Sequence, residues 1–375
     1  MEGDLIMPVS KTFWYSVAAV ILLLILIVGY FTVLKPTPTP STPTYTPSIE
    51  ASPTPTPSPT PTRTTTPAPS KYSIVITTGG IGGVFFYYGG AVAAIVSNFT
   101  DIPASTVNTA GSVDNLLLIR DKTDLAKGVV YCALVLPDSA YLAYTGQHDK
   151  FKDKPAPIAI LWAMYPNYLH IVTTADSGIK SLLDLKGKRV STGAPGSGTE
   201  VEALLVLELV GINPARDFAK WERLGAAEAA AALRDGTLDA YFFTGKVIGS
   251  VVELSKVLAA RGKQIYIVPL SDTVINAFTT LYPGLAVRGV ISKEWYGAPE
   301  DAPTLAFWAL FVCHKDTPDD VAYKITKVVF ENLDFLRKAV AAARDTTLEN
   351  ALMFIDGAVP YHEGALKYFK EKGRS

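Results

Sequence analysis

From residue 72 onward, short runs of consecutive apolar residues alternate with stretches whose apolar positions recur at helical spacing. Residues 73–78 (SIVITT), 102–109, 129–136 (VVYCALVL), 156–163 and 169–174 are predicted as strands, with helices at 84–99 and 114–120. The pattern repeats further on, with strands at 189–192 and 240–244 and helices at 199–210, 226–235 and 247–260. Val321, Ile325, Val328, Val329, Leu333 and Leu336 then form one apolar stripe, which predicts a single helix over 318–343. Unbroken apolar strands alternating with helices predict an α/β fold with parallel pairing. About 300 residues exceed what one core usually serves, so two lobes are expected.

The first 71 residues read differently. Residues 13–34 (FWYSVAAVILLLILIVGYFTVL) carry no charge, and at about 1.5 Å per residue they can cross a hydrocarbon core about 30 Å thick. They are read as an uncleaved transmembrane anchor after a short cytoplasmic N-terminus, 1–12, with a cleaved signal as the alternative. Residues 35–71 are almost wholly Pro, Thr and Ser, too poor in apolar residues for a core, and are read as a disordered extracellular stalk. Localisation is therefore expected at the cell membrane, single-pass, with the remaining residues extracellular and the bilayer as a partner through the N-terminal helix. The sequon Asn98-Phe99-Thr100 fits that side. Cys132 and Cys313 lie in strongly apolar strings and are read as buried free thiols, with pairing as the alternative. A net charge of −1 and the lack of a basic stripe argue against nucleic acid.

Two strand-to-helix turns carry the candidate chemistry. TTGGIGGVFFYYGGA (77–91) and STGAPGSGTEVEA (191–203) both leave a strand through glycines and enter a helix. Such turns let backbone N–H groups approach a ligand, and the positive end of the helix favours an anion. A nucleotide is disfavoured: no lysine follows Gly198, the dinucleotide pattern fails at Phe85, and Glu200 beside the second turn would repel polyphosphate. The four histidines show no metal-ligand spacing, and Ser197 lacks the glycine two positions before it that a nucleophile elbow needs, because Pro195 stands there and Ala194 precedes it. No enzyme, cofactor or metal is expected.

These two turns, with NTAGSVDNL (108–116), SLLDLKGKRVSTGAPGSGTEVEA (181–203) and VAYKITKVVFENLD (321–334), resemble the TAXI-type solute receptors of TRAP transporters, in matching order over residues 72–369. The resemblance implies a two-lobed, type II periplasmic-binding-protein-like clamshell. Lobe 1 would take 72–171 and 286–375, and lobe 2 172–285. It further implies capture of a small carboxylate, glutamate-like or more apolar, and its delivery to a TRAP-type membrane permease. A membrane-anchored solute sensor is the alternative. Carried over residue by residue, the site comprises Gly80, Ile81, Gly83, Val84 and Phe85 of the first turn, Ser112, Leu136, and Pro195, Gly196, Ser197, Gly198 and Thr199 of the second. Ile81, Val84 and Phe85 stand where the family usually carries hydroxyls, which makes the first turn more apolar. Lys246 and Arg288 are candidate charge partners, and Tyr165 and Tyr168 candidate contacts near the hinge.

Overall fold

The computed structural model describes residues 70–81, 83–247, 249–354 and 357–374. The expected anchor, 13–34, and the stalk up to residue 69 lie outside them. Among the described residues no helix is long and apolar enough to cross a membrane.

The strands are β1 (Ser73–Thr77), β2 (Ala104–Val107), β3 (Val129–Val135), β4 (Ile158–Thr174), β5 (Arg189–Ser191), β6 (Lys220–Glu222), β7 (Ala240–Gly245), β8 (Ile265–Ile267), β9 (Val287–Ile291) and β10 (Ala302–His314). They form one sheet in the order β2-β1-β3-β10-β4-β7-β5-β6, with β8 attached to β4 and β9 to β10. Each end of that order is parallel, β1 with β2 and β3, β5 with β6 and β7. The middle is antiparallel. Helices such as Val84–Phe99 and Gly198–Leu209 link the parallel strands, as parallel connections require.

β4 joins the two ends of the sheet. Through Ile158–Tyr168 it pairs with β10, and from Tyr168 to Val172 it pairs with β7. Two separate strands were expected here, at 156–163 and 169–174; the structure has one of 17 residues. Pro166 lies opposite Trp308 beside a register shift between Trp308 and Leu310, the kind of irregularity where a sheet tolerates proline. The single helix expected over 318–343 is divided into Asp319–Glu331 and Leu333–Ala339. Asn332 divides it: its side-chain amide donates to the Val328 carbonyl at 2.7 Å, and its backbone leaves helical geometry at ψ 32°.

A buried chain of hydrogen bonds pins the first helix to β4. Trp162 Nε1 donates to the Tyr88 hydroxyl at 3.1 Å, Tyr88 meets Thr346 Oγ1 at 3.0 Å, and Thr346 donates to the Met164 carbonyl at 2.9 Å. The reading of free thiols is corrected: Cys132 of β3 and Cys313 of β10 form a disulfide. The two stand opposite each other in the antiparallel register, a neighbourhood hidden from the sequence by a separation of 181 residues.

Candidate functional site

The first glycine turn leaves β1 and starts the helix Val84–Phe99. Its N-cap, Gly83, has no side chain to satisfy the first N–H groups, and no acidic residue stands in the first turn. The positive end of this helix is therefore uncompensated. Of the aromatic run that follows, Phe85 faces the cavity described below, Tyr87 is exposed and Tyr88 is core. Asn115 holds the neighbouring loop, donating to the Thr78 carbonyl at 2.6 Å and the Leu134 carbonyl at 2.7 Å. That places Ser112 beside the turn, where its Oγ accepts the Leu136 N–H at 3.0 Å.

The second turn leaves β5 and starts the helix Gly198–Leu209. Ser197 caps this helix by accepting the Glu200 N–H at 3.1 Å. The Gly196 carbonyl accepts the N–H groups of Val113 and Asp114 at 3.1 and 3.3 Å, so this turn satisfies the start of the helix Ser112–Lys122. A Cβ on Gly198 would lie 2.6 Å from Leu136 Cδ1 and 2.7 Å from Ser112 Oγ. Glu200, expected to repel anions, does not present an open charge. It is buried, takes a bidentate bond from Arg223 and accepts the Gly196 N–H at 3.3 Å.

Both turns open on one cavity of about 580 Å³. Gly80, Ile81, Gly83, Val84, Phe85, Ser112, Leu136, Ser197, Gly198 and Thr199 all line it. Pro195 and Gly196 do not, because that part of the turn leans on the Ser112 helix. Lys246 is also outside the lining; its ammonium pairs with Asp345. Arg288 pairs with exposed Asp272 on the surface, and neither Tyr165 nor Tyr168 lines the cavity. A smaller hollow of about 300 Å³, at the far ends of β5 and β7, is walled by the ion pairs Arg189–Asp239 and Lys263–Asp176 and receives neither of the two glycine turns.

The cavity also gathers groups that the sequence reading missed. The starts of two further helices, Ala226–Arg234 and Gly249–Ala260, reach it through 225–228 and 249–250. Both follow the strand–glycine–helix pattern already recognised in the first two turns, so the same signal would have found them. Asn167 reaches it from β4; its signal was a lone amide within a long apolar run. Among the described lining residues Glu228 is the sole charged side chain, and it is exposed and bonded to the Gly225 N–H at 3.3 Å. The hydroxyls of Ser112, Ser197 and Thr199 each accept a backbone N–H, which leaves their O–H groups to donate. The arrangement suits an anion held by dipoles and hydroxyls rather than by a side-chain cation.

Two carboxyl groups lie one layer behind the wall. Asp138 stands in the first turn of the helix Pro137–Tyr144, and Glu202 in the helix Gly198–Leu209. Both are fully buried. Asp138 has the N–H groups of its own residue and Ser139 nearby, without a well-formed hydrogen bond, and burial pushes its carboxyl up to about 7. Burial first, then the Asp138 charge, pushes Glu202 well above the usual carboxylate range, with the Thr244 hydroxyl opposing. Thr244 donates to Glu202 while its own N–H is accepted by Thr199 Oγ1 at 3.1 Å, which ties the pair to the wall. Among the described residues no cluster of His, Cys, Asp or Glu could hold a metal ion.

A model of the NMT1-like family matches residues 76–373. Solved structures of similar outline include a binding-protein component of an ABC phosphonate transporter from Pseudomonas aeruginosa, 13% identical over 72% of this chain and 78% of that one, TM-score 0.48. The MatC protein of Rhodopseudomonas palustris with bound malate is 13% identical over 80% and 95%, TM-score 0.48. A Xanthomonas citri protein bound to ATP is 11% identical over 80% and 95%, TM-score 0.46. None of the three is similar enough to transfer its ligand.

Proposed function

Because the chain belongs to the NMT1-like family, we propose from its cavity that it is an extracytoplasmic solute receptor, of the TAXI type, serving a TRAP-type permease. The receptor captures a small carboxylate between two lobes, 72–171 with 286–375 and 172–285, and delivers it to the membrane partner. One observation carries this reading: helix starts from both ends of the sheet meet at one cavity whose described lining has no lysine or arginine. Each start offers unpaired N–H groups and the positive end of a dipole, which together can hold one carboxylate. The change of partner along β4 at Tyr168 gives the lobes a place to hinge.

The Cys132–Cys313 bridge supports placement outside the cytoplasm, where disulfides form and persist. The apolar run 13–34 would anchor the receptor and the Pro/Thr stalk would hold it off the surface. No reactive constellation for catalysis is proposed. Thermal-shift measurements on the full chain check the reading: a carboxylate that binds the folded state should raise the melting temperature as its concentration rises. ATP should give no rise. Stabilisation by ATP and by none of the carboxylates would overturn it.

A further inference from the structure

We infer that the solute is a monocarboxylate with an apolar body and no ammonium group, and that Asn167 selects its acid group. This rests on the receptor reading above and narrows it.

Asn167 sits where β4 exchanges partners: it pairs with Phe307 of β10, and the next residue, Tyr168, pairs with Gly245 of β7. It is 3% exposed, lines the cavity, and its Nδ2 has no hydrogen-bond partner. An amide N–H2 buried without an acceptor is unfavourable, and a ligand oxygen placed against it removes that penalty. Ser250, second residue of the helix Gly249–Ala260, presents a buried Oγ with the same vacancy. Two unpartnered groups on different elements thus belong to residues that line the space where the helix starts converge.

Charge and shape then narrow the solute. Helix starts and neutral donors can balance about one negative charge. A second carboxylate would meet no lysine or arginine among the described lining residues. An ammonium would find Glu228 alone, which is exposed to solvent and therefore a weak partner. Dicarboxylates and amino acids are therefore disfavoured by burial of an unpaired charge. The remaining wall, formed by Ile81, Val84, Phe85, Leu136, Phe243 and Val247, is apolar, and about 580 Å³ leaves room for a branched or aromatic tail.

The test is calorimetric titration of the full chain with 4-methylpentanoate and phenylacetate, beside glutarate, L-glutamate and the neutral 4-methylpentanamide. Both monocarboxylates should bind at least about tenfold more tightly than the other three, and Asn167→Leu should weaken 4-methylpentanoate by about tenfold. Ser250→Ala, at a helix start away from the hinge strand, should weaken it several-fold. It supplies the reading if the Asn167 variant does not fold. Preference for glutamate or glutarate overturns this inference while leaving the receptor in place. Binding of no carboxylate overturns both. Unchanged affinity in a folded Asn167→Leu, or in Ser250→Ala, overturns the assigned anion pole.

Discussion

Gly198→Val should abolish solute binding while the chain still folds. The position is the first residue of the helix that follows the second turn and lies on the cavity wall. A Cβ there would approach Leu136 Cδ1 to 2.6 Å and Ser112 Oγ to 2.7 Å, distances that non-bonded atoms do not occupy. The two neighbours belong to other segments that line the same cavity, so the added carbons would push the second turn away from them. Overpacking of this kind costs roughly 1–3 kcal/mol. Here it also separates the groups that must close on one ligand, and an affinity loss of a hundredfold or more, about 3 kcal/mol, is expected. Titration calorimetry reads the loss, and far-UV circular dichroism should be unchanged. A variant that binds as tightly as the parent would show that the two turns do not share a ligand.

Stability should fall as pH rises above about 4, and Glu202→Gln should remove the part of that fall that Glu202 contributes. The sign follows from the raised carboxyls. Asp138 is held near 7 in the fold against 3.8 as its ordinary value. Below 3.8 both folded and unfolded chains keep the proton and the contribution is full. Between 3.8 and about 7 the unfolded chain has released a proton that the fold retains, so stability drops with each unit. Glu202, raised by burial and then by the Asp138 charge, adds a loss of the same sign. Glutamine at 202 removes one carboxyl and the repulsion between the two. The variant should match the parent near pH 4 and exceed it above pH 7 in urea titrations. Parallel pH curves for the two proteins would refute a protonated pair.

Local signals in the sequence carried the parts of the site that local chemistry builds. The run after Gly83 predicts a helix at 84–99, and the structure has it at Val84–Phe99, because apolar residues on both sides of Gly89-Gly90 have a core to pack against. The second helix, expected from residue 199, starts at Gly198. What was illegible depends on which strands become neighbours. The starts at Gly225 and Gly249 carry the same local pattern as the first two turns, but that they reach the same cavity depends on β7 lying between β4 and β5. Asn167 reads as one polar residue in a buried strand until the fold places it on the cavity wall. Asp138 and Glu202 meet because the helices Pro137–Tyr144 and Gly198–Leu209 pack together. Lys246 shows the converse: a cation at the end of β7 looked available, and Asp345, far along the chain, takes it.

Hydrogen–deuterium exchange on the full chain tests the central claim most directly, with whichever carboxylate gives the largest thermal shift. Saturating ligand should slow exchange of the backbone N–H groups at both 79–86 and 196–200 together. Protection at one turn alone, or only in segments outside both, would contradict a carboxylate held between the two helix starts.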